Sequence, residues 1–195
     1  MPAIKAKYIL ILDFEATCGE GIGNHNQEII EFPIVVVEIA TLKVVDEFHT
    51  YVKPTTQILP FCTELTGITQ EQVENAPPLS QVLPQAEAFA KKYQHSVFVT
   101  CGDWDLKTML PLQTERENLS RDSVFQQWVN VKVAFNDTME GARSKQNRAK
   151  GMKGMLNALG LELVGRHHSG IDDSRNIAKI AIELIKKGYV FRVNI

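Results

Sequence analysis

Residues 8–12 read YILIL, and this apolar run continues without glycine or proline into Asp13, Phe14 and Glu15. A run of this length and composition reads as a buried strand. Side chains alternate along a strand, so Ile9, Ile11, Asp13 and Glu15 share one face while Leu10, Leu12 and Phe14 share the other. A fold that accepts this segment must cover both faces and still seat two carboxylates side by side at the strand end. Like charges at the rim of a core repel and lose hydration, which costs several kcal/mol unless a cation compensates. A divalent metal ion is the natural counter-charge.

The rest of the chain supplies a framework for such a strand. Further strands are predicted at residues 33–40, 44–52 and 96–101, and the first strand spans 7–15. The proline-punctuated stretch 59–80 reads as short helical turns leading into a helix at 79–93. GDWDLKTML opens a helix with Asp103 as its cap, and QQWVNVKVAF closes another and adds a short fifth strand. GMKGMLNALG is a helix closed by Gly160, and IDDSRNIAKIAIELIKKG is an amphipathic helix closed by Gly188. Early strands followed by strand–helix alternation predict one α/β domain over residues 1–195, built on a five-stranded mixed sheet.

Composition narrows the class. Of 195 residues, 44% are hydrophobic and 23% charged, the balance of a globular domain, and no apolar run is long enough to cross a membrane. No secretory signal is expected, because the apolar run ends at Asp13 without a cleavage site. Cys18, Cys62 and Cys101 are too few and too widely spaced for a disulfide framework or a thiolate zinc site. Reduced thiols in the cytosol or nucleus follow as the expectation. A net charge of −2 argues against a nucleic-acid coat protein. Residues 143–153 nevertheless hold Arg143, Lys145, Arg148, Lys150 and Lys153 with no acid among them. Such a segment is ordinarily a solvated loop, and a phosphate contact only if the site lies close.

Two more junctions offer partners for Asp13 and Glu15. Asp105 lies just past the fourth strand, and Asp172 and Asp173 open the last helix. At helical spacing Asp173 shares a face with Ile177, Ile180, Ala181 and Leu184, and Asp172 with Asn176, Lys179, Glu183 and Lys186. Asp173 is therefore expected to face the sheet and Asp172 water. Two overlapping HxxxxD registers exist, His167 with Asp172 and His168 with Asp173; the helix face favours the second. Four carboxylates and a histidine suit a pair of hard cations, Mg²⁺ or Mn²⁺, about 3.5–4 Å apart, clamping the attacking and leaving oxygens of a phosphoryl displacement. A neutral imidazole can take a proton from water near physiological pH.

DFEATC, GDWDLKTML and HSGIDDSRNIA together resemble the three motifs of the DEDDh 3′-to-5′ exonucleases. QEIIEFPIV, LTGITQ, WVNVK and GRHHSGIDDSRNIA extend the likeness to the Eri-type (enhanced-RNAi) exoribonucleases, nearest the prion-protein-interacting branch. The resemblance implies an RNase H-like fold, Asp13, Glu15, Asp105 and Asp173 as metal ligands, and His168 as general base. It also implies single-stranded RNA 3′ ends as substrate, with DNA a second class, and nucleoside 5′-monophosphates as product. Leu65 and Thr66 would lie against the terminal nucleotide unless LTGI is only a tight turn at Gly67; Phe14 is a core residue whose backbone, like Ala16, would come within reach of it; and Trp104 would stack on a base or else pack in the core. Where relatives usually carry proline before the motif histidine, this chain has His167, which can bond locally or compete as the base. The extra nucleic-acid-binding domain of some relatives is not expected here. Trp128 is expected in the core; for Glu28 and Glu31 nothing in the sequence decides between an entrance role and none. The rival to an enzyme is a catalytically silent binding module on the same fold. Occupancy of all five motif positions argues against it. GEGIGN is not a dinucleotide loop, because GxGxxG is unsatisfied and the strand before it ends in acids.

Overall fold

A computed structural model describes residues 3–139 and 151–194. In chain order the strands are β1 (Ala3–Lys5), β2 (Tyr8–Ile11), β3 (Glu15–Ala16), β4 (Ile29–Glu38), β5 (Lys43–Tyr51), β6 (Ser96–Thr100), β7 (Trp128–Asn130) and β8 (Arg192–Asn194). The helices are α1 (Pro60–Thr66), α2 (Gln70–Glu74), α3 (Leu79–Lys91), α4 (Leu110–Arg116), α5 (Val131–Thr138), α6 (Gly151–Leu159) and α7 (Gly170–Lys186). β4 lies between β5 and the β2–β3 run, antiparallel to both, while β6 runs parallel to β2 and β7 parallel to β6. The sheet is mixed, as expected.

Six strand segments stand where five strands are predicted, because the first is interrupted. Ile11 pairs with Val35 and Glu15 with Glu31, so the register against β4 is kept across the gap; β2 and β3 are one strand with an opening at residues 12–14. β4 begins at Ile29 rather than at residue 33 and passes straight through Pro33. A proline inside a strand loses a ladder bond unless its nitrogen faces no partner. Backbone polarity alternates along β4: the Ile30 carbonyl accepts from Val52 on the β5 side, and Ile39 N–H donates to Lys7 on the β2 side. Pro33 therefore turns its nitrogen towards the β2–β3 opening, where the ladder is already broken.

Both faces of the sheet are covered. Ile9, Ile11, Val35, Val37, Val97 and Val99 pack with Ile177, Ile180, Ala181 and Leu184 of α7 and with residues of α5 and α6. Leu10, Leu12, Phe14, Phe32, Ile34, Val36 and Phe98 pack with α3 and with Leu106, Met109 and Leu110. The alternation in β2 is thus resolved by helices on both sides, at about 1.5–3 kcal/mol for each large side chain fully buried. QQWVNVKVAF closes a short 3₁₀ turn at Ser123–Gln126 and supplies β7, as predicted, and then also opens α5. β1 and β8 form a separate antiparallel pair joining the two ends of the described chain. Among the described residues no helix is long and apolar enough to cross a membrane.

Candidate active site

The opening in the first strand is where the site is built. Asp13 lies in it, half-buried, and Glu15 follows on β3, buried on the same face. Past β6 the chain enters a wide helical turn in which Leu110 N–H donates to the Asp105 carbonyl five residues back, a π-type turn of the sort that recurs at functional sites. Asp105 stands at its start, 4% exposed, and its Oδ1 accepts the Phe14 N–H at 2.9 Å. The bond satisfies a backbone donor that the strand opening would otherwise orphan. It also ties the second motif to the first across 91 positions.

Asp173 comes from the first turn of α7 and is also 4% exposed. Ligand atoms of Asp13, Glu15 and Asp173 lie within 4.8 Å of one another, and those of His167, His168 and Asp173 form a second such group. Asp173 Oδ2 accepts the His168 backbone N–H at 2.9 Å and lies 3.1 Å from His167 Nδ1. Among the described residues its Oδ1 is buried without a partner. The two imidazole rings stack at 3.9 Å, with His168 in the left-handed backbone region at φ 67°. Local bonding of His167 is thus observed.

The electrostatics are those of a site short of positive charge. Burial, followed by the charges of Glu31, Asp173 and Asp105, pushes the Glu15 carboxyl up to about 9. Asp13 is raised well above its ordinary range by burial and then by Asp105 and Glu15. Burial lifts Asp105 to about 6 against the Phe14 N–H and the Lys132 charge. Asp173 is raised by burial, partly offset by the His168 N–H and by His167. His168 is lowered by burial and then by His167. Clustered carboxylates raised by burial and mutual repulsion, with one buried oxygen unpartnered among the described residues, fit the oxygen-rich donor set of a hard divalent ion.

The remaining candidates divide. The Phe14 ring is core, edge-on to Phe32 at 4.6 Å, and only its backbone faces the site. Ala16 is buried beside Cys62, whose thiol points to the Ala16 carbonyl. Thr66 is buried with its hydroxyl engaged twice, donating to the Cys62 carbonyl and accepting from Ile68 N–H. Leu65 and Trp104 are half-buried, and Trp104 precedes Asp105 directly. The Leu65–Thr66 turn meets the histidine loop through Arg166, whose guanidinium donates to the carbonyls of Glu64 (2.7 Å) and Leu65 (3.4 Å). Gly67 makes that approach possible: it has φ 80°, and a Cβ there would stand 2.9 Å from Arg166 Nε.

Three expectations need correction. Asp103 caps no helix; its carboxylate accepts the indole N–H of Trp128 at 3.0 Å, Trp128 itself packing half-buried against the core as expected. Asp172 does not face open water but accepts Arg166 N–H at 2.9 Å and pairs with Arg175 at 3.2 Å. Asn176, assigned to the same wet face, is fully buried and exchanges two bonds with Val164. In the last two cases the loop at residues 164–166 folds back over a helix face that periodicity alone leaves open. Arg143, Lys145, Arg148 and Lys150 lie outside the described residues; Lys153, on α6, adds to the charges that lower His168.

Two acids left undecided by the sequence are deeply placed. Glu28 is buried and accepts from the backbone and hydroxyls of Thr55 and Thr56. Glu31 sits opposite Glu15 and accepts from the first two N–H groups of α7. The available signal was β4 alternation: had the strand been started at Ile29, Glu31 would share a face with Val35 and Val37.

A family model described as Exonuclease (RNase_T) matches residues 10–181. ERI1 exoribonuclease 3 of Bos taurus is 44% identical over 199 residues, covering 98% of this chain and 57% of the relative. 3′-5′ exoribonuclease 1 of Mus musculus is 38% identical, covering 96% and 55%. The chain therefore spans a little over half the length of these relatives. Among solved structures, the nuclease domain of 3′hExo, a DEDDh family member bound to rAMP, superposes with a TM-score of 0.85 at 35% identity, covering 97% of both chains. A 3′-exonuclease studied for 3′-end-specific recognition of a histone mRNA stem-loop gives 0.84 at 33%, covering 97% of this chain and 71% of the other. The fold is RNase H-like, shared with the DEDDh nuclease domain it superposes on, and the chain belongs to the RNase_T exonuclease family.

Proposed function

We propose that this chain is a 3′-to-5′ exoribonuclease that shortens single-stranded RNA stepwise to 5′-mononucleotides, with DNA as a secondary substrate. Two divalent cations, Mg²⁺ or Mn²⁺, would be held by Asp13, Glu15, Asp105 and Asp173. The observation that carries the reading is the convergence of these acids from three separate chain segments, with a buried Asp173 oxygen that has no partner among the described residues. Support comes also from relatives named as exoribonucleases and from a structural neighbour that holds rAMP.

When bound, such cations neutralise charge developing on a phosphoryl group and acidify water. The chain's own residues do the rest. His168, kept neutral by burial and by the neighbouring His167, accepts a proton from the attacking water at a ring nitrogen. Asp173 holds the His168 backbone in its left-handed turn, so one residue fixes both a ligand position and the base. The Leu65–Thr66 turn, held to the histidine loop by Arg166, closes the pocket around the terminal nucleotide, and Trp104 offers a ring for stacking. A pocket closed there admits one residue beyond the scissile bond, which makes the cleavage exonucleolytic.

The test is incubation of the purified chain with 3′- and 5′-labelled RNA and DNA oligonucleotides, linear and circular, with Mg²⁺, Mn²⁺ or chelator. Metal-dependent release of 5′-mononucleotides from linear 3′ ends is expected, with circular RNA resistant. Rapid cleavage of circles, or metal-dependent binding without hydrolysis, would overturn the reading, the second in favour of a silent binding module.

A further inference from the structure

Glu31 is a carboxylate only 2% exposed, set directly opposite the buried acid Glu15 in the sheet. Such a charge is unfavourable there unless its bonds repay it. Its bonds are specific. Oε2 accepts Gly170 N–H at 2.8 Å, and Oε1 accepts Ile171 N–H at 3.1 Å while lying 2.8 Å from His49 Nε2. Gly170 and Ile171 are the first two residues of α7, whose leading N–H groups have no partner within the helix. Ser169 occupies the usual capping position, yet its side chain makes no capping bond. The cap comes instead from β4, 139 positions away.

Gly170 makes the contact close. A Cβ at this position would stand 2.6 Å from the Asp13 carbonyl and 3.1 Å from Glu31 Oε2. The start of α7 is thus pressed against the strand opening that carries Asp13, and Asp173 follows one helical turn later. A small shift or rotation at this end of the helix moves Asp173 relative to Asp13 and Glu15.

We propose that Glu31 is a positioning residue: by clamping the N-terminus of α7 onto the strand opening, it sets the separation between Asp173 and the Asp13–Glu15 pair. This rests on the reading of those acids as ligands of two cations. Partners one shell beyond metal ligands typically change affinity or activity by about 10–100-fold when lost.

The test uses the full chain with Mn²⁺, comparing wild type, Glu31→Gln and Gly170→Ala by electron paramagnetic resonance, which reports ion affinity and the spin coupling of a close pair. Glu31→Gln keeps the shape but replaces one acceptor by a donor; Gly170→Ala keeps the charge and pushes the helix away. Both variants are expected to bind the pair at least about tenfold more weakly, to lose or alter the coupled spectrum, and to lower kcat with KM at saturating metal little changed. If Glu31→Gln weakens binding but leaves the coupled spectrum of wild type, Glu31 acts through charge alone and the positioning role is wrong. Glu31→Gln decides the matter by itself should Gly170→Ala not fold. Wild type binding fewer than two ions would overturn the two-cation reading and the role built on it, an outcome recognisable before any variant is measured.

Discussion

Removing metal should make this protein less stable as pH rises, opposite to the usual behaviour of a domain held by ionised carboxylates. Glu15 carries the argument: burial and three neighbouring acids move its carboxyl from 4.5 to about 9. Between those values the unfolded chain releases this proton while the folded chain keeps it, so its contribution is fully present below pH 4.5 and lost as pH climbs towards 9. Each pH unit in that window is worth about 1.4 kcal/mol per group. At pH 7.5 Glu15 alone therefore costs the metal-free fold about 4 kcal/mol, a large part of a typical 5–15 kcal/mol. Asp13, shifted the same way, adds to it. The clean window is pH 7–8.5, above ordinary histidine and carboxylate titrations. There Glu15 contributes about 2 kcal/mol, or roughly 4–8 °C in Tm for a domain of this size. Thermal unfolding followed by circular dichroism in chelator should show this decline, Glu15→Gln should remove its share, and saturating Mg²⁺ should abolish it. A metal-free Tm that is flat or rising across the window, or a Glu15→Gln slope equal to wild type, would refute the account of the site as a cluster of uncompensated acids.

Other consequences can be measured directly. Asp173→Asn should lower single-turnover hydrolysis by at least about 10²-fold, whereas Asp172→Asn, which weakens a bond to Arg166 N–H, should cost under tenfold and about 1 kcal/mol of stability; equal losses would show the helix faces were misassigned. His168→Ala should reduce kcat by about 10²–10⁴-fold and His167→Ala by much less, and a dead His167→Ala would transfer the base to the other ring. Arg166→Ala, releasing the Glu64 and Leu65 carbonyls, should cut kcat/KM about tenfold with an unchanged salt dependence. A log–log salt slope smaller by about one would instead mark Arg166 as a phosphate contact.

Much of the fold was legible because β2 states its environment residue by residue. Alternation at 9–15 divides its side chains between the α7 side and the α3 side, and both sides are filled as read. Non-local facts were not legible. Proline normally sits at a strand edge or end, and only the interruption of the neighbouring strand makes Pro33 harmless inside β4. The β1–β8 pair joins three-residue segments far apart in sequence, too short to carry any periodicity. Helix periodicity separated Asp173 from Asp172 because the sheet side of α7 is apolar. It failed for Asn176 because residues around Val164 cover that face with backbone rather than with hydrophobic side chains, and a buried amide is what backbone requires.

The same distinction explains which part of the candidate site escaped the sequence. Residues proposed to meet a cation announce themselves, since acids at strand ends and helix starts have few other reasons to cluster. Residues that hold those acids in place answer backbone groups instead, and their partners are fixed only by tertiary structure. Asp105 joins the two kinds, with one oxygen spent on Phe14 N–H. Glu31 belongs wholly to the second: in sequence it is one acid in QEIIEFP, and only the docking of α7 against the strand opening, at a distance that Gly170 alone permits, gives its charge two donors to satisfy. The proposed arrangement of these acids is therefore fastened by contacts spanning 91 and 139 positions, and short motifs hold no trace of either.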